Sequence, residues 1–360
     1  MTDQTTASGP GLVRTYVELT KPRIIELLLI TTVPAMAAAA GGWPGLWAVI
    51  VTLIGGTLSA GGANVLNQVY DDDIDRVMAR TESRPLPTDR VSKRAATAFG
   101  IILGVAGFLV LAIGTTLLAG ILAAVAYLYY VLIYTMVLKR SSTQNIVLGG
   151  AAGAMPALIG WAAVTGSLEV GAWVMFGIIF FWTPPHFWAL SLKYEDDYRA
   201  AGIPMLSVVA GERSTLDLIL WYSVVTAGVS FLLVPAADMG WIYVAIAVIG
   251  GAGMVAYANR LRSDRSIAMR YFGFTNIYLA AVFLAMLVDK VVLDEAAAGA
   301  EFWFVLGALL TLGGMALVVA VERRKGMRAP GVTPARHAIE VGITVLVGVI
   351  LVLGTWWATV

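Results

Sequence analysis

The chain of 360 residues predicts an all-α, polytopic membrane bundle, and three observations carry that prediction. Hydrophobic residues make up 59% of the sequence, charged residues only 13%, and mean hydropathy is +0.82. A soluble domain is about 45–50% apolar and roughly 25% charged, which excludes a water-soluble globule of this size. The apolar residues also fall in continuous runs of about 20, the length that crosses a bilayer as a helix, without the alternation of barrel strands. Low charge and the absence of low-complexity tracts exclude disordered and fibrous classes. With no Cys, disulfides, thiolate metal sites and Cys nucleophiles are excluded together. A net charge of +1 with no basic stripe argues against a nucleic-acid partner.

The first ten residues, MTDQTTASGP, are polar and lack the basic-then-apolar order of a cleaved signal peptide. Insertion is therefore expected to begin with the first apolar helix. Spans are predicted near residues 24–42, 45–65, 97–117, 119–138, 145–164, 171–190, 217–236, 240–258 and 271–289. Two more follow near 302–321 and 339–357, dividing the chain into a nine-helix unit (1–295) and an additional helix pair (296–360). With the N-terminus inside and the spans alternating, 23 of the 24 Lys and Arg residues fall on the cytoplasmic side and Lys290 alone falls outside. That asymmetry obeys the positive-inside rule, and one missed or added span would invert it. The prediction is eleven spans in the plasma membrane, N-terminus and active loops cytoplasmic, C-terminus outside. Outer loops are short, whereas the inner connections 66–96 and 191–216 are long and acidic, so chemistry is expected on the inner face.

The first acidic cluster runs from Asn67 through Tyr70, Asp71, Asp72 and Asp73 to Asp75 and Arg76. Asn67, Asp71 and Asp75 are spaced by four and share one helical face. Such a stripe of oxygens repels itself unless a cation binds, and hard oxygen ligands suit Mg²⁺ held together with substrate phosphates. A solvated acidic loop balanced by Arg76 and Arg80 is the plain alternative. The small-residue run Ser59–Ala63 just before it, where helices pack closely, favours the binding role. The second cluster, Lys193 to Arg199, repeats the pattern as Tyr194-Glu195-Asp196-Asp197, hinting at an internal duplication whose two acidic motifs face one another. Facing clusters can hold a diphosphate through bridging Mg²⁺. Arg76, Arg80, Arg84, Lys139 and Arg140 can add charge-assisted hydrogen bonds to phosphate, or serve only topology. Asn145 either joins that site or caps its helix.

These strings, in order, resemble the UbiA-type intramembrane prenyltransferases and, within that family, its haem-farnesylating branch. They are Leu19 to Arg23 (LTKPR), Asn64 to Gln68 with the acidic run, Arg80 to Pro87 (RTESRPLP), Leu138 to Arg140, Asn145 to Val147, Gly149 to Gly166, Trp182 to Trp188 (WTPPHFW) and Tyr194 to Leu206. The likeness spans about residues 14–289. It implies a nine-helix bundle around a lipid-accessible cavity, plus two extra helices here. It also implies Mg²⁺ and isoprenyl diphosphate held by Asn67, Asp71 and Asp75, with Asp197 as the second-motif carboxylate. Where the wider family has D-x-x-x-D, this chain has Lys193-x-x-x-Asp197, which puts a second Mg²⁺ in question and fits the haem branch. The implied substrates are farnesyl diphosphate and haem b, giving haem O. The enzyme that oxidises haem O is a candidate partner for the extra helices.

Polar residues inside spans have competing readings. Tyr127, Tyr130 and Tyr134 follow helical spacing and can shield an allylic cation or simply pack. Glu26 is an intramembrane carboxylate that either serves function or pairs with Lys21 or Arg23. His186 follows Pro184 and Pro185, which are expected to disturb the sixth span; it is either a haem contact or structural. His337 has no context that assigns it a role. A quinone-precursor prenyltransferase of the same family and, from another class, a secondary transporter are the alternative readings. A transporter places polar residues near the bilayer midplane, whereas here they cluster at helix ends.

Overall fold

Backbone amides and carbonyls inside a bilayer have no water to bond, so the apolar runs satisfy themselves as helices. In the computed structural model, residues 11–293, 297–324 and 327–359 are described, save the side chains of residues 24 and 26–29. The Glu26 side chain therefore lies outside the described residues. The long helices are α2 (Pro22–Ala40), α3 (Leu46–Tyr70), α5 (Lys93–Gly114), α6 (Leu117–Leu128), α8 (Asn145–Thr165), α9 (Val170–Lys193), α11 (Leu206–Ala236), α12 (Trp241–Leu261), α13 (Ala268–Val288), α14 (Ala300–Glu322) and α15 (Pro334–Thr359). Short helices α1 (Leu12–Thr20), α4 (Asp72–Asp75), α7 (Lys139–Ser141) and α10 (Glu195–Ala200) lie in the connections, and no strand occurs among the described residues. Ten segments of the described residues are long and apolar enough to cross a membrane, and the 19-residue α2 adds the eleventh position in chain order.

Local chemistry sets the boundaries. Ser92 and Thr116 cap α5 and α6 by accepting from Ala95 N and Ala119 N. Gly41 ends α2 in the left-handed region, φ +62°, as a C-terminal glycine does. Three features differ from the sequence expectation. The fourth span continues from α6 as a ten-residue π-helix, Tyr129–Leu138, a rare geometry that concentrates at functional sites. The expected 217–236 span is part of a longer α11 that breaks at Gly211 (φ +78°). Helix α9 runs unbroken through Pro184 and Pro185. Its flanking side chains hold that stretch to α13, with Trp182 Nε1 donating to Thr275 O at 2.8 Å and His186 Nδ1 2.8 Å from Thr275 Oγ1. These tertiary bonds anchor the stretch in which the two prolines lack an N–H.

Helices α8, α9 and α11 form the buried centre, with α5 and α6 on one flank and α14 and α15 on another. In lipid the driving force is close packing rather than water exclusion, so small residues sit where backbones touch. On α11 and α14, a Cβ at Gly228 would lie 2.6 Å from Thr311 N, and one at Gly307 2.8 Å from Gly228 O. Gly228→Leu is expected to cost about 1–3 kcal/mol through overpacking and to lower the melting temperature in detergent. Gly313→Ala, whose Cβ meets open space, should leave the melting temperature unchanged.

Candidate active site

The site is organised by the polar end of α3. Helix α1 ends with carbonyls that lack helical partners, and α3 supplies them: Asn64 Nδ2 donates to Thr20 O (2.9 Å) and Gln68 Nε2 to Leu19 O (2.6 Å). The chain then turns at Lys21 in a left-handed conformation (φ 55°), and Pro22 starts α2 at its first turn, a position where its missing N–H is harmless. That corner aims Lys21 Nζ at Asn67 Oδ1, 2.7 Å away. Desolvation, together with the Arg84 and Lys139 charges, pushes the Lys21 ammonium well below the usual lysine range.

Helix α3 stops at Tyr70, with Asp71 at φ −88° and ψ 6°, and α4 resumes at once. Asp71 N bonds Asn67 O and Asp75 N bonds Asp71 O, so the four-residue spacing keeps all three side chains on one face despite the break. Both carboxylates are buried, Asp71 at 0% and Asp75 at 2% exposure. Burial of a charge requires a partner, and basic residues from two segments, the 76–90 loop and the end of the π-helix, supply it. Lys139 Nζ is 2.5 Å from Asp71 Oδ2. Arg84 Nη1 is 2.9 and 2.7 Å from the two Asp75 oxygens. Asn67 Nδ2 donates to Asp71 Oδ2 (2.8 Å) and to Thr135 Oγ1 (3.0 Å) on the π-helix. Arg140 forks onto the more exposed Asp73 at 2.7 and 2.8 Å, and that hydrogen bonding holds the Asp73 carboxyl below its ordinary range.

The second motif approaches through Arg80. Its guanidinium stands 5.9 Å over the Tyr194 ring, with Lys193 Nζ 5.3 Å from the same centroid. Asp197 is half-buried beside Tyr198, whose surroundings include Arg80 and Arg84. Glu195 pairs with Arg199 (2.6 Å) and Arg265 (3.2 Å), and Asp196 is exposed. Arg76 also departs from the expected phosphate role. It bonds Asp72, Asp89, Leu86 O and Pro87 O, and so ties the 76–90 loop together.

Asp71 Oδ1 is buried without a hydrogen bond, as are both polar atoms of the Asn145 side chain. Asp71 Oδ1, 3.6 Å from Arg140 Nη2, suits a hard cation, and the Asn145 N–H groups suit a phosphate oxygen. Among the described residues no three His, Asp or Glu side chains converge as a complete metal cage. The donor set therefore suits an ion that draws its remaining ligands from a bound diphosphate and water, as Mg²⁺ does.

Below this polar ring lies an apolar chamber of about 140 Å³ between α2, α3, α6 and α8, with Asn64 and Tyr130 among its walls and Thr52 further along α3. Twelve residues of α3 separate Asn64 from Thr52, about 18 Å of helix. Tyr130 and Tyr134 are ring neighbours at 5.2 Å, and Tyr134 presses on α8 where a Cβ at Gly149 would lie 2.3 Å from its ring. His186 is remote from the acidic face in its contacts: it stacks between Trp182 and Phe272, each 4.2 Å away. The Thr275 hydroxyl lies 2.8 Å from both His186 Nδ1 and Phe272 O. Sequence reasoning gave Thr135 no role. Lys21 and Gly149 stood in matched strings, but Lys21 was read only as a topological charge or a partner for Glu26.

An intramembrane helical bundle with a buried acid–base ring above an apolar chamber defines the class: the chain belongs to the UbiA prenyltransferase family, whose model matches residues 28–277. Within it, the chain is 54% identical over 287 residues to protoheme IX farnesyltransferase 1 of Saccharopolyspora erythraea, covering 78% of this chain and 91% of that relative. Among solved structures, a digeranylgeranylglyceryl phosphate synthase superposes with a TM-score of 0.64 at 18% identity, over 78% of this chain and 99% of the other. A UbiA homologue from Archaeoglobus fulgidus bound to GPP and Mg²⁺ gives 0.50 at 14% identity, over 96% and 99%.

Arg76→Met removes four polar contacts from the 76–90 loop while leaving the acidic face intact. Charged hydrogen bonds are worth about 1.5–3 kcal/mol, so tryptic cleavage at Arg80 and Arg90 in the folded protein should accelerate at least about tenfold.

Proposed function

We propose that this chain transfers the farnesyl group of farnesyl diphosphate to a vinyl side chain of protoheme IX, with addition of water, and so makes haem O from haem b. One observation carries the prenyl-transfer chemistry: the buried acid–base ring of Asn67, Asp71, Asp75, Lys21, Arg84 and Lys139 stands at the polar end of an apolar chamber. A diphosphate head and an isoprenyl tail need that juxtaposition. The relative from S. erythraea, named a protoheme IX farnesyltransferase and matched over nine-tenths of its length, supports haem as the acceptor. The quinone-precursor alternative shares the ring and chamber; the Lys193 variant and the Trp182 to Trp188 string favour haem.

In this reading Asn67, Asp71, Asp75 and Asp197 would hold Mg²⁺, which when bound neutralises charge on the diphosphate oxygens. Lys21, Arg80, Arg84, Lys139, Arg140 and Asn145 take the diphosphate; Lys193 reaches it from the second motif. Arg84, Lys139 and Arg140 are already fixed by carboxylate pairing and Lys21 by Asn67, so they stabilise the departing diphosphate with little reorganisation. Cleavage of the C–O bond leaves an allylic cation facing Tyr130 and Tyr134, whose π faces shield it while the chamber walls exclude water. The vinyl π electrons form the new C–C bond, water adds to the resulting cation, and one proton is lost. His186 would face the haem side. The ring belongs on the cytoplasmic side of the plasma membrane, where 23 of the 24 positive residues would lie.

The deciding measurement is the haem content of membranes expressing the full chain in a host lacking haem O. Haem O is expected, and its absence alongside a prenylated quinone precursor would overturn the reading. Asp71→Ala, Asp75→Ala and Lys21→Met should each lower turnover by about a hundredfold or more. Gly153 lines the chamber and a Cβ there meets open space. Gly153→Phe should therefore shorten the chamber without moving backbone, suppressing turnover of farnesyl diphosphate more than that of a five-carbon diphosphate in side-by-side assays.

A further inference from the structure

Helices α14 and α15 carry no motif, yet they do not hang from the bundle as a passive anchor. Helix α14 meets α11 backbone to backbone at Gly228 and Gly307, and α15 lays Leu351 against Gly177 of α9. At the end that bears the acidic ring, the pair buries two carboxylates, Glu322 and Glu340, each 5% exposed. Buried carboxylates are costly ornaments for a lipid anchor, and the partners chosen here reveal a purpose.

Four consecutive residues bond to the C-terminal pair and its connecting turn. Ser141 Oγ accepts from Arg336 (2.8 Å), and Ser142 Oγ donates to Glu340 (2.5 Å). Thr143 Oγ1 donates to Met327 O (2.8 Å), and Gln144 Nε2 donates to Glu322 (2.8 Å). Arg336 closes the set on Glu340 at 2.9 Å, and His337 Nε2 stands 3.3 Å from Glu322. Immediately before these four residues come Lys139 and Arg140, which grip Asp71 and Asp73. The span leading into them is the π-helix, whose weaker geometry gives less local definition to the residues that follow.

We propose that the helix pair 296–360 is a positioning clamp: through Glu322, Glu340, Arg336 and the Met327 carbonyl it fixes residues 141–144, and thereby sets Lys139 and Arg140 against the first acidic motif. This rests on the reading above that Lys139 and Arg140 hold the diphosphate. Glu322, Glu340 and Thr143 are positioning residues and touch no substrate. The matched relative aligns over 287 residues, 78% of the chain, and the family model ends at residue 277, before both helices of the pair, so the clamp is a feature of this chain beyond the family model.

The test uses the full-length protein in nanodiscs. Thr143→Val keeps the side-chain shape and removes the donor; Glu340→Ala removes two bonds at once; Thr143→Ser keeps the hydroxyl. Amide exchange over 139–145 and the KM values for farnesyl diphosphate and haem are read for each. Losing one buried bond should raise exchange there, and KM for farnesyl diphosphate, about tenfold. KM for haem should stay unchanged, and Thr143→Ser should match the parent. Unchanged exchange in both disruptive variants, or both KM values rising together, overturns the clamp. So does faster exchange with an unmoved farnesyl diphosphate KM. Lys139→Ala separates the failures: if it leaves that KM unmoved, the diphosphate role of Lys139 is itself wrong, whereas a raised KM confines the failure to the clamp.

Discussion

Two carboxylates buried at a membrane boundary dominate the energetics of this protein. Asp71 and Asp75 are removed from water, where an unpaired charge is prohibitively expensive, so the rest of the molecule must deliver cations to them. Those cations come from the loop after α4 and from the end of the π-helix, and Lys21 of the α1–α2 corner joins them through Asn67; these segments are separated in sequence but closed on one another in space. The connections on this end of the bundle are long because they have to make that delivery. Arg76, which sequence reading grouped with the phosphate ligands, serves the same end indirectly by shaping the loop that presents Arg84.

The arrangement also reconciles two demands that oppose each other. The ring must be stable before substrate arrives and receptive afterwards. Pairing carboxylates with lysine and arginine meets the first demand. The orphaned Asp71 Oδ1 and the unbonded Asn145 amide retain capacity for the second. The hydrophobic chamber underneath contributes through what it lacks: its walls, from Gly56 and Ala60 to Gly153, offer little polar surface to stop an isoprenyl chain. Small residues therefore play two distinct parts in one bundle. Gly228 and Gly307 let helices touch, whereas Gly153 leaves room for a ligand.

Much of this was legible in the linear sequence, and for identifiable reasons. Apolar runs of bilayer length and the one-sided distribution of Lys and Arg depend only on local composition, so the order of the long helices could be read directly. The four-residue spacing of Asn67, Asp71 and Asp75 survived as a shared face, even though α3 ends between them, because the backbone bonds at 67–71 and 71–75 both persist. The Pro184-Pro185 pair misled because proline propensity is a local penalty, while the anchoring of Trp182 and His186 on Thr275 is a distant contact.

The sequence by itself determined that the protein lives in a membrane as a helical bundle and that Asn67, Asp71 and Asp75 share one face. Tertiary structure alone decided which cation meets which carboxylate, that Glu195 is spent on Arg199 and Arg265, and that Lys21 belongs to the ring. It also decided that two helices without a motif reach back to brace residues 141–144. The division has a simple physical origin. Hydropathy and helical spacing act between neighbours along the chain, whereas charge pairing and close packing act between groups that only folding brings within a few ångströms.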